Sequence, residues 1–218
     1  KLVIDELLLA LGLIAVISMS IVAIFQTNIK KLLAYSSVAQ VGYMVIGISA
    51  VTVTGLTSTI LHLFNHALIK GSLFLALAAL FLRIKSVKID DMAGLGKLMP
   101  FTMAAFLMSG LSLIGVPLTV GFISKWYLIL ATLEKGWWPV AVIILIGSLL
   151  SIIYVWKVIE IAYFRPIPDK SSKIKEAHLS MLIPIWILVG ANYYFGVATD
   201  FTISSALSAA KELMGVAL

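Results

Sequence analysis

Two lysines and two histidines lie inside long apolar stretches of the sequence, where ionisable side chains are rare. A charge at the centre of a bilayer costs about 2.5–3.5 kcal/mol even on lenient insertion scales, so such residues normally face a bundle interior or a water-filled path. Burial also disfavours the charged form of an amine, which allows a buried lysine to exchange its proton. Lys70 and Lys125 are therefore candidates for proton transfer.

Lys70 ends a polar strip on one predicted helix. His62, His66 and Lys70 follow each other at intervals of four residues, which places them within about 80° of the helix surface and over about 12 Å of its length. Asn65 flanks the strip, and imidazole titrates near neutrality through two distinct nitrogens. The pattern predicts a proton path, and the alternative is a set of polar groups that only bond neighbouring helices.

Lys125, with Ser124 beside it, follows an interruption in the longest apolar segment. That segment covers about residues 100–133, or roughly 50 Å of helix against a hydrocarbon core of about 30 Å. Pro117 near its middle, flanked by glycines, favours a discontinuous helix, and such breaks often form ion sites in transporters. The alternatives are a tilted, kinked helix, and a Lys125 that snorkels to the interface.

The composition requires lipid as the main solvent. Of 218 residues, 61% are hydrophobic and 12% are charged, with a mean hydropathy of +1.11, whereas soluble domains carry about 25% charged residues. The absence of cysteine excludes disulfides, thiolate nucleophiles and iron–sulfur ligation. Three scattered histidines make no convincing metal site. We therefore expect no metal, no cofactor and no catalytic residues, and we do not expect the chain to be an enzyme by itself.

The apolar segments predict an all-α polytopic membrane protein with six transmembrane helices, the fourth of them discontinuous near Pro117. A final segment at about 199–214 is too polar to span and is expected to form a short interfacial helix. On the fifth span, Lys157 and Glu160 are spaced for a surface ion pair. Because residue 1 is Lys, we expect the chain to start within a longer protein or to be a processed one. The spans cover about residues 6–25, 32–53, 56–82, 100–133, 138–164 and 178–197.

Basic residues are distributed unequally between the two sides of this arrangement. The first, third and fifth loops carry ten Lys and Arg, and the opposite side carries three, so these loops are expected to be cytoplasmic and both ends of the chain to lie on the outer side. This bias also explains the net charge of +6 without nucleic acid as a partner. The ten are Lys30, Lys31, Arg83, Lys85, Lys88, Lys97, Arg165, Lys170, Lys173 and Lys175, and the three are Lys1, Lys135 and Lys211.

Three motifs together resemble the antiporter-like subunits of complex I and of Mrp cation/proton antiporters. Residues 28–43 are similar to the family motif D-I-K-R-x-L-A-Y-S-S-x-x-x-x-G, with Asn28 in place of Asp and Lys31 in place of Arg. Residues 62–70 resemble the histidine-bearing helix of the family, and residues 115–126 resemble its broken helix with a channel lysine.

The resemblance implies a fold of two inverted five-helix repeats, each with a broken helix and half of a proton channel. Residues 1–218 would form a single membrane domain, the C-terminal part of such a protein, at about its ninth to fourteenth helices. The D-type component of Mrp antiporters and the N-type component of complex I carry lysine at the position of Lys125, whereas the M-type component of complex I carries glutamate. The choice between a redox complex and an antiporter stays open.

The leading hypothesis is proton translocation. His62, His66 and Lys70 would relay protons laterally, and Lys125 would release them to the outer side of a bacterial or archaeal cytoplasmic (inner) membrane. The partners would be other membrane subunits, lipid and protons, with Na⁺ added if the complex is an antiporter. The alternative is a non-conducting scaffold subunit. A free-standing solute carrier is disfavoured because no acidic residue lies well inside a span.

Overall fold

The chain is helical almost throughout. A computed structural model describes residues 2–168 and 174–216, and in these ranges one isolated bridge, between Asn28 and Lys88, is the only β-pairing. A 3₁₀ turn at Asp90–Met92 precedes α4. The helices are α1 (Leu2–Ile24), α2 (Ile29–Ser49), α3 (Val53–Ile84), α4 (Leu95–Leu98), α5 (Pro100–Ile114), α6 (Val120–Glu134), α7 (Trp138–Phe164), α8 (Leu179–Val197) and α9 (Asp200–Met214).

The predicted membrane architecture is confirmed. Five helices, α1, α2, α3, α7 and α8, are long and apolar enough to cross a membrane. The predicted fourth span consists of α5 and α6, which contain 15 residues each and are therefore each about 22 Å long, less than the hydrocarbon core. A bend of 111° separates Asp90–Leu98 from Pro100–Ile114 before this span. The short C-terminal helix is α9.

Local sequence signals explain where the helices begin and end. Asn28 caps α2 through its side-chain oxygen, which accepts from the backbone N–H groups of Lys30 and Lys31 at 2.9 and 3.2 Å, so this replacement of the family Asp keeps the cap. Thr52 caps α3 in the same way. The α5 helix has no cap of its own, and the Glu176 carboxylate accepts from the Phe101 N–H at 2.7 Å instead.

The third helix lies at the centre of the bundle. It packs against α2, α5, α6, α8 and α9, so one face of α3 is enclosed by other helices. Ser58, His62, Asn65 and Lys70 are all buried there, although each is polar. His62 and Lys70 of the predicted strip therefore face the bundle interior, and His66 between them is half-buried.

The basic loops lie at one end of the bundle. The Ile29 N–H donates to the Val87 carbonyl at 2.9 Å, which joins the first loop to the third. Arg165 and Asp90 form a salt bridge at 3.1 Å, which joins the third loop to the fifth. At the opposite end, Thr54 donates to Glu134. Lys1, Lys170 and Lys173 lie outside the described residues.

The expected ion pair between Lys157 and Glu160 was wrong. Lys157 donates instead to the carbonyls of Ile24 and Gln26 at 3.1 and 2.9 Å, and Glu160 is exposed. The carbonyls at the end of α1 and just beyond it have no helical partners, so they attract the ammonium more strongly than an exposed carboxylate does.

This arrangement predicts which side of the membrane each loop faces. A cysteine in Asp90→Cys should react with a membrane-impermeant maleimide only from the cytoplasmic side, because the basic loops are retained there. The Asp90 side chain is 74% exposed, and the chain has no other cysteine to interfere. In the matched variant Lys135→Cys, at the opposite end, labelling should occur only from outside. Labelling of Asp90→Cys in intact cells would contradict the orientation.

Candidate functional site: two buried lysines beside a broken helix

The break in the fourth span is a backbone feature of residues 115–119. Gly115 and Leu118 have positive φ angles of 92° and 71°, which direct the chain out of the helix that ends at Ile114. Pro117 is exposed within the break and cannot continue a helix. The prediction of a discontinuous helix near Pro117 is therefore confirmed.

Lys125 binds the carbonyls that the break leaves free. Its Nζ donates to the Leu113 and Ile114 carbonyls at 3.0 and 2.8 Å. These lie at the C-terminal end of α5, where the helix dipole favours a cation. The Lys125 side chain is buried and does not snorkel to a surface. The Tyr43 ring lies 5.2 Å from Nζ and covers it on another side.

Glycines allow the two half-helices to lie this close. A Cβ at Gly121 would overlap the Ser112 carbonyl oxygen, and a Cβ at Gly196 of α8 would be 2.5 Å from the Leu118 carbonyl oxygen. The Asn65 side chain donates to the Val120 carbonyl at 2.7 Å, which fixes the start of α6 to α3. Asn65 thus contacts the broken helix, and its supporting role in the site stays a prediction.

His62 connects three helices. Its Nδ1 lies 2.8 Å from the Ser124 hydroxyl on α6, and its Nε2 lies 3.0 Å from Gln40 Oε1 on α2. Because an amide oxygen can only accept, Nε2 carries the hydrogen in this arrangement and Nδ1 accepts from Ser124. The hydroxyl can rotate to accept instead, so this contact accommodates a neutral or a protonated imidazole.

Lys70 and His66 complete the strip. The Lys70 Nζ donates to the Leu33 carbonyl at 2.9 Å and to the Ser36 hydroxyl at 2.5 Å, both on α2. His66 Nε2 is buried, and the described residues provide no hydrogen-bond partner for it. It lies one helical turn from both His62 and Lys70, with its acceptor or donor capacity unused.

The structure places His62, Asn65, Lys70 and Ser124 in contacts between α2, α3 and α6, and it places Lys125 of α6 against the end of α5. Pro117 lies exposed in the break. Sequence reasoning missed three contributors on α2: Gln40, Ser36 and Tyr43. Polar residues in an otherwise apolar span were the available signal for them. Their contacts could not be predicted, because the packing of α2 against α3 and α6 decides them. Among the described residues, no group of three His, Asp or Glu side chains is placed to hold a metal ion.

Comparison with known proteins bears on most of this region. The sequence model of the family described as "NADH:quinone oxidoreductase/Mrp antiporter, TM" matches residues 1–151, a range that contains every predicted site residue. The chain is 39% identical over 200 residues to NADH-quinone oxidoreductase subunit N of Desulforudis audaxviator. The match covers 86% of this chain and 40% of that protein, so the chain spans less than half the length of this relative.

Solved structures share the fold. A chain of the Mrp complex from Dietzia sp. superposes with a TM-score of 0.89 at 21% identity, covering 96% of this chain and 47% of that one. A chain of the archaeal membrane-bound sulfane sulfur reductase superposes with a TM-score of 0.84 at 32% identity, covering 88% of this chain and 32% of that one.

The close approach at the break predicts that alanine at Gly121 and alanine at Gly190 differ in their effect on stability. Gly121→Ala should lower stability by about 1–3 kcal/mol, because the new methyl group would overlap the Ser112 carbonyl. Gly190→Ala, on the exposed face of α8 with open space around it, should keep stability or raise it by up to about 1 kcal/mol, because alanine is favoured over glycine inside a helix. Thermal unfolding of the purified protein in detergent measures both. Equal effects would show that the half-helices do not depend on this contact.

Proposed function

Because this chain belongs to the NADH:quinone oxidoreductase/Mrp antiporter membrane family, we propose that it conducts protons across a membrane as one subunit of such a complex. One observation carries the proposal. Two lysines are buried in the bundle, each hydrogen-bonded to backbone carbonyls, and a strip of two histidines lies between them. A pair of fixed structural charges would not require titratable groups between them.

The path begins at Lys70 and runs along α3. A proton released by the Lys70 ammonium passes to His66, whose Nε2 is unpartnered among the described residues, and from there to His62 one turn away. Bound water would bridge the steps that exceed hydrogen-bond length. Each imidazole accepts a proton on one nitrogen and donates from the other, which advances the proton and leaves the ring in its other tautomer. The ring returns to its first tautomer by rotation or by proton exchange with bound water before the next transfer.

Lys125 receives the proton at the broken helix. His62 Nδ1 contacts the Ser124 hydroxyl, and Ser124 directly precedes Lys125. Once a protonated His62 carries a hydrogen on Nδ1, the rotated hydroxyl can accept that proton and pass its own proton towards the amine through bound water. The Leu113 and Ile114 carbonyls stabilise the ammonium once it forms. Release towards the outer side then restores the neutral amine, if the ends of the chain lie on that side as the loop charges predict.

The chain would form a single membrane domain within a longer protein, equivalent to about the ninth to fourteenth helices. The driving force would come from other parts of the complex. In an NADH-quinone oxidoreductase-like complex it would be redox chemistry in a partner arm, and in an Mrp-type antiporter it would be exchange for Na⁺. The protein itself would not be an enzyme under either alternative.

A scaffold role is the second candidate, and one contact favours it. Lys125 caps the C-terminal end of α5, so a permanently charged Lys125 would serve to hold the broken helix together. The two functions differ in one respect. A scaffold requires only the hydrogen bonds that these residues make, whereas a channel also requires that the residues gain and lose protons.

Lys125→Met separates these functions, because methionine keeps most of the stem volume and removes the amine. We expect subunit assembly to survive and proton transport to fall by about 10²-fold, at the lower end of what a positioned acid–base group contributes. Transport is measured in vesicles that contain the assembled complex, with protein levels checked by blot. The control is Lys135→Met, an exposed lysine after α6. Unchanged transport in Lys125→Met would support the scaffold.

The histidine strip has its own test. His62→Leu/His66→Leu should insert normally and slow proton transport substantially, because the strip would then carry no titratable group between the lysines. His178→Leu removes an exposed histidine at the start of α8 and should leave transport unchanged. If the double variant transports protons at the wild-type rate in assembled complexes, the strip is only a packing surface.

A further inference from the structure

The Tyr154 hydroxyl on α7 is a second buried polar group that the histidine path does not use. Its side chain is fully buried, and the described residues provide no hydrogen-bond partner for the hydroxyl. Leaving a buried hydroxyl unpartnered is costly, so such groups normally bind another polar group or an ordered water molecule. Tyr154 also lies beyond the range that the family model matches.

The surroundings of this hydroxyl are polar on one side. The Ser36 and Ser151 side chains lie close to it. Ser36 also accepts from the Lys70 ammonium at 2.5 Å and donates to the Leu33 carbonyl at 2.9 Å. A hydroxyl oxygen has two acceptor lone pairs, so Ser36 can accept one further hydrogen bond. Tyr154 is therefore separated from Lys70 by a single side chain.

The same face of α7 continues towards the other buried lysine. Ser148 and Ser151 lie three residues apart on this helix and so share one face. Ser148 lies close to the Tyr43 hydroxyl, whose position next to α7 depends on Gly147, since a Cβ there would overlap the Tyr43 hydroxyl oxygen. The Tyr43 ring in turn lies 5.2 Å from the Lys125 Nζ.

We propose that Ser36, Ser151 and Tyr154 hold a buried water molecule, and that this water and the Tyr43 hydroxyl form a second proton connection between Lys70 and Lys125. The connection rests on the proposed proton transport and runs along α2 and α7, whereas the histidine strip runs along α3. Three hydroxyls provide the two to four polar partners that a buried water requires.

Proton balance along this connection needs no ionised tyrosine. The Lys70 ammonium gives a proton towards Ser36, and each hydroxyl or water along the connection accepts one proton and donates its own after it rotates away from its carbonyl acceptor. A further bound water would carry the last proton from the Tyr43 hydroxyl to the neutral Lys125 amine. Every O–H bond that breaks is replaced by one that forms on the same oxygen. The hydroxyls then rotate back before the next transfer.

If the Tyr154 hydroxyl were only structural, its removal would change stability and leave the transport rate unchanged. Tyr154→Phe keeps the ring in place and removes one of the three partners of the proposed water, so the unfolding midpoint should fall no further than after the loss of one ordinary hydrogen bond, while transport falls. Tyr193→Phe is the matched control, because its hydroxyl donates to the Met108 carbonyl at 3.2 Å, away from both lysines. The control should lose a hydrogen bond and keep its transport rate.

The test uses vesicles that contain the assembled complex, with Tyr154→Phe introduced into the wild type and into His62→Leu/His66→Leu. In the histidine variant, Tyr154→Phe should reduce the remaining transport by about fivefold, the factor that corresponds to one hydrogen bond of ordinary net strength. In the wild type the reduction should be smaller, because the histidine strip still operates. A high-resolution cryo-EM map should show a water within hydrogen-bond distance of the Tyr154 hydroxyl.

Two results would overturn the second connection. One is an unchanged rate for Tyr154→Phe in both backgrounds. The other is that His62→Leu/His66→Leu transports protons no faster than Lys125→Met does. The second connection would then carry no protons when the histidine strip is removed. Full transport in Lys125→Met is a different result, because it would refute the proton path as a whole.

Discussion

The organisation of this bundle depends on how an ammonium group is satisfied at membrane depth. Water and counter-ions are scarce there, so the cation must be met by groups of the protein itself. Lys125 donates to two carbonyls that lack helical hydrogen-bond partners because α5 ends at Ile114 inside the bundle. The broken helix and the buried lysine therefore require each other, since each leaves a polar group that the other satisfies.

Both ends of α5 are matched to the helix dipole in this way. At its N-terminal end, the Glu176 carboxylate accepts from the Phe101 N–H and from the Thr102 hydroxyl. At its C-terminal end, the Lys125 ammonium binds the free carbonyls. An anion at the start and a cation at the end both stabilise a helix. The half-helix α5 is thus held at its start by Glu176, which precedes α8, and at its end by Lys125 of α6. The break therefore depends on the packing of the bundle.

Lys70 is satisfied by a related arrangement in an unbroken helix. The Leu33 carbonyl accepts from Lys70 as well as from the Ser36 and Ser37 hydroxyls. A carbonyl that is already shared holds a proton donor less exclusively than a free helix end does. Under the proposed function, this difference would favour transfer from Lys70 towards Lys125.

The sequence predicts the helices well because membrane thickness and backbone hydrogen bonding leave few alternatives for a long apolar segment. The break was predictable from Pro117 and its flanking glycines, and the strip from the spacing of His62 and Lys70. The partners Gln40, Ser36 and Tyr43 were not predictable, since helix rotation and close glycine contacts bring them to the site. The Lys157 pairing failed for the same reason: the free carbonyls after α1 come near it only in the folded bundle.

The central claim is that Lys125 must lose its proton as well as hold it. Lys125→Arg tests this most directly, because guanidinium keeps the charge and the capacity to bind the Leu113 and Ile114 carbonyls but does not deprotonate in proteins. Proton transport in vesicles that contain the assembled complex should fall in this variant as far as it does in Lys125→Met, with protein levels equal to wild type. Full transport in Lys125→Arg would contradict the account and leave Lys125 a fixed charge that holds the broken helix.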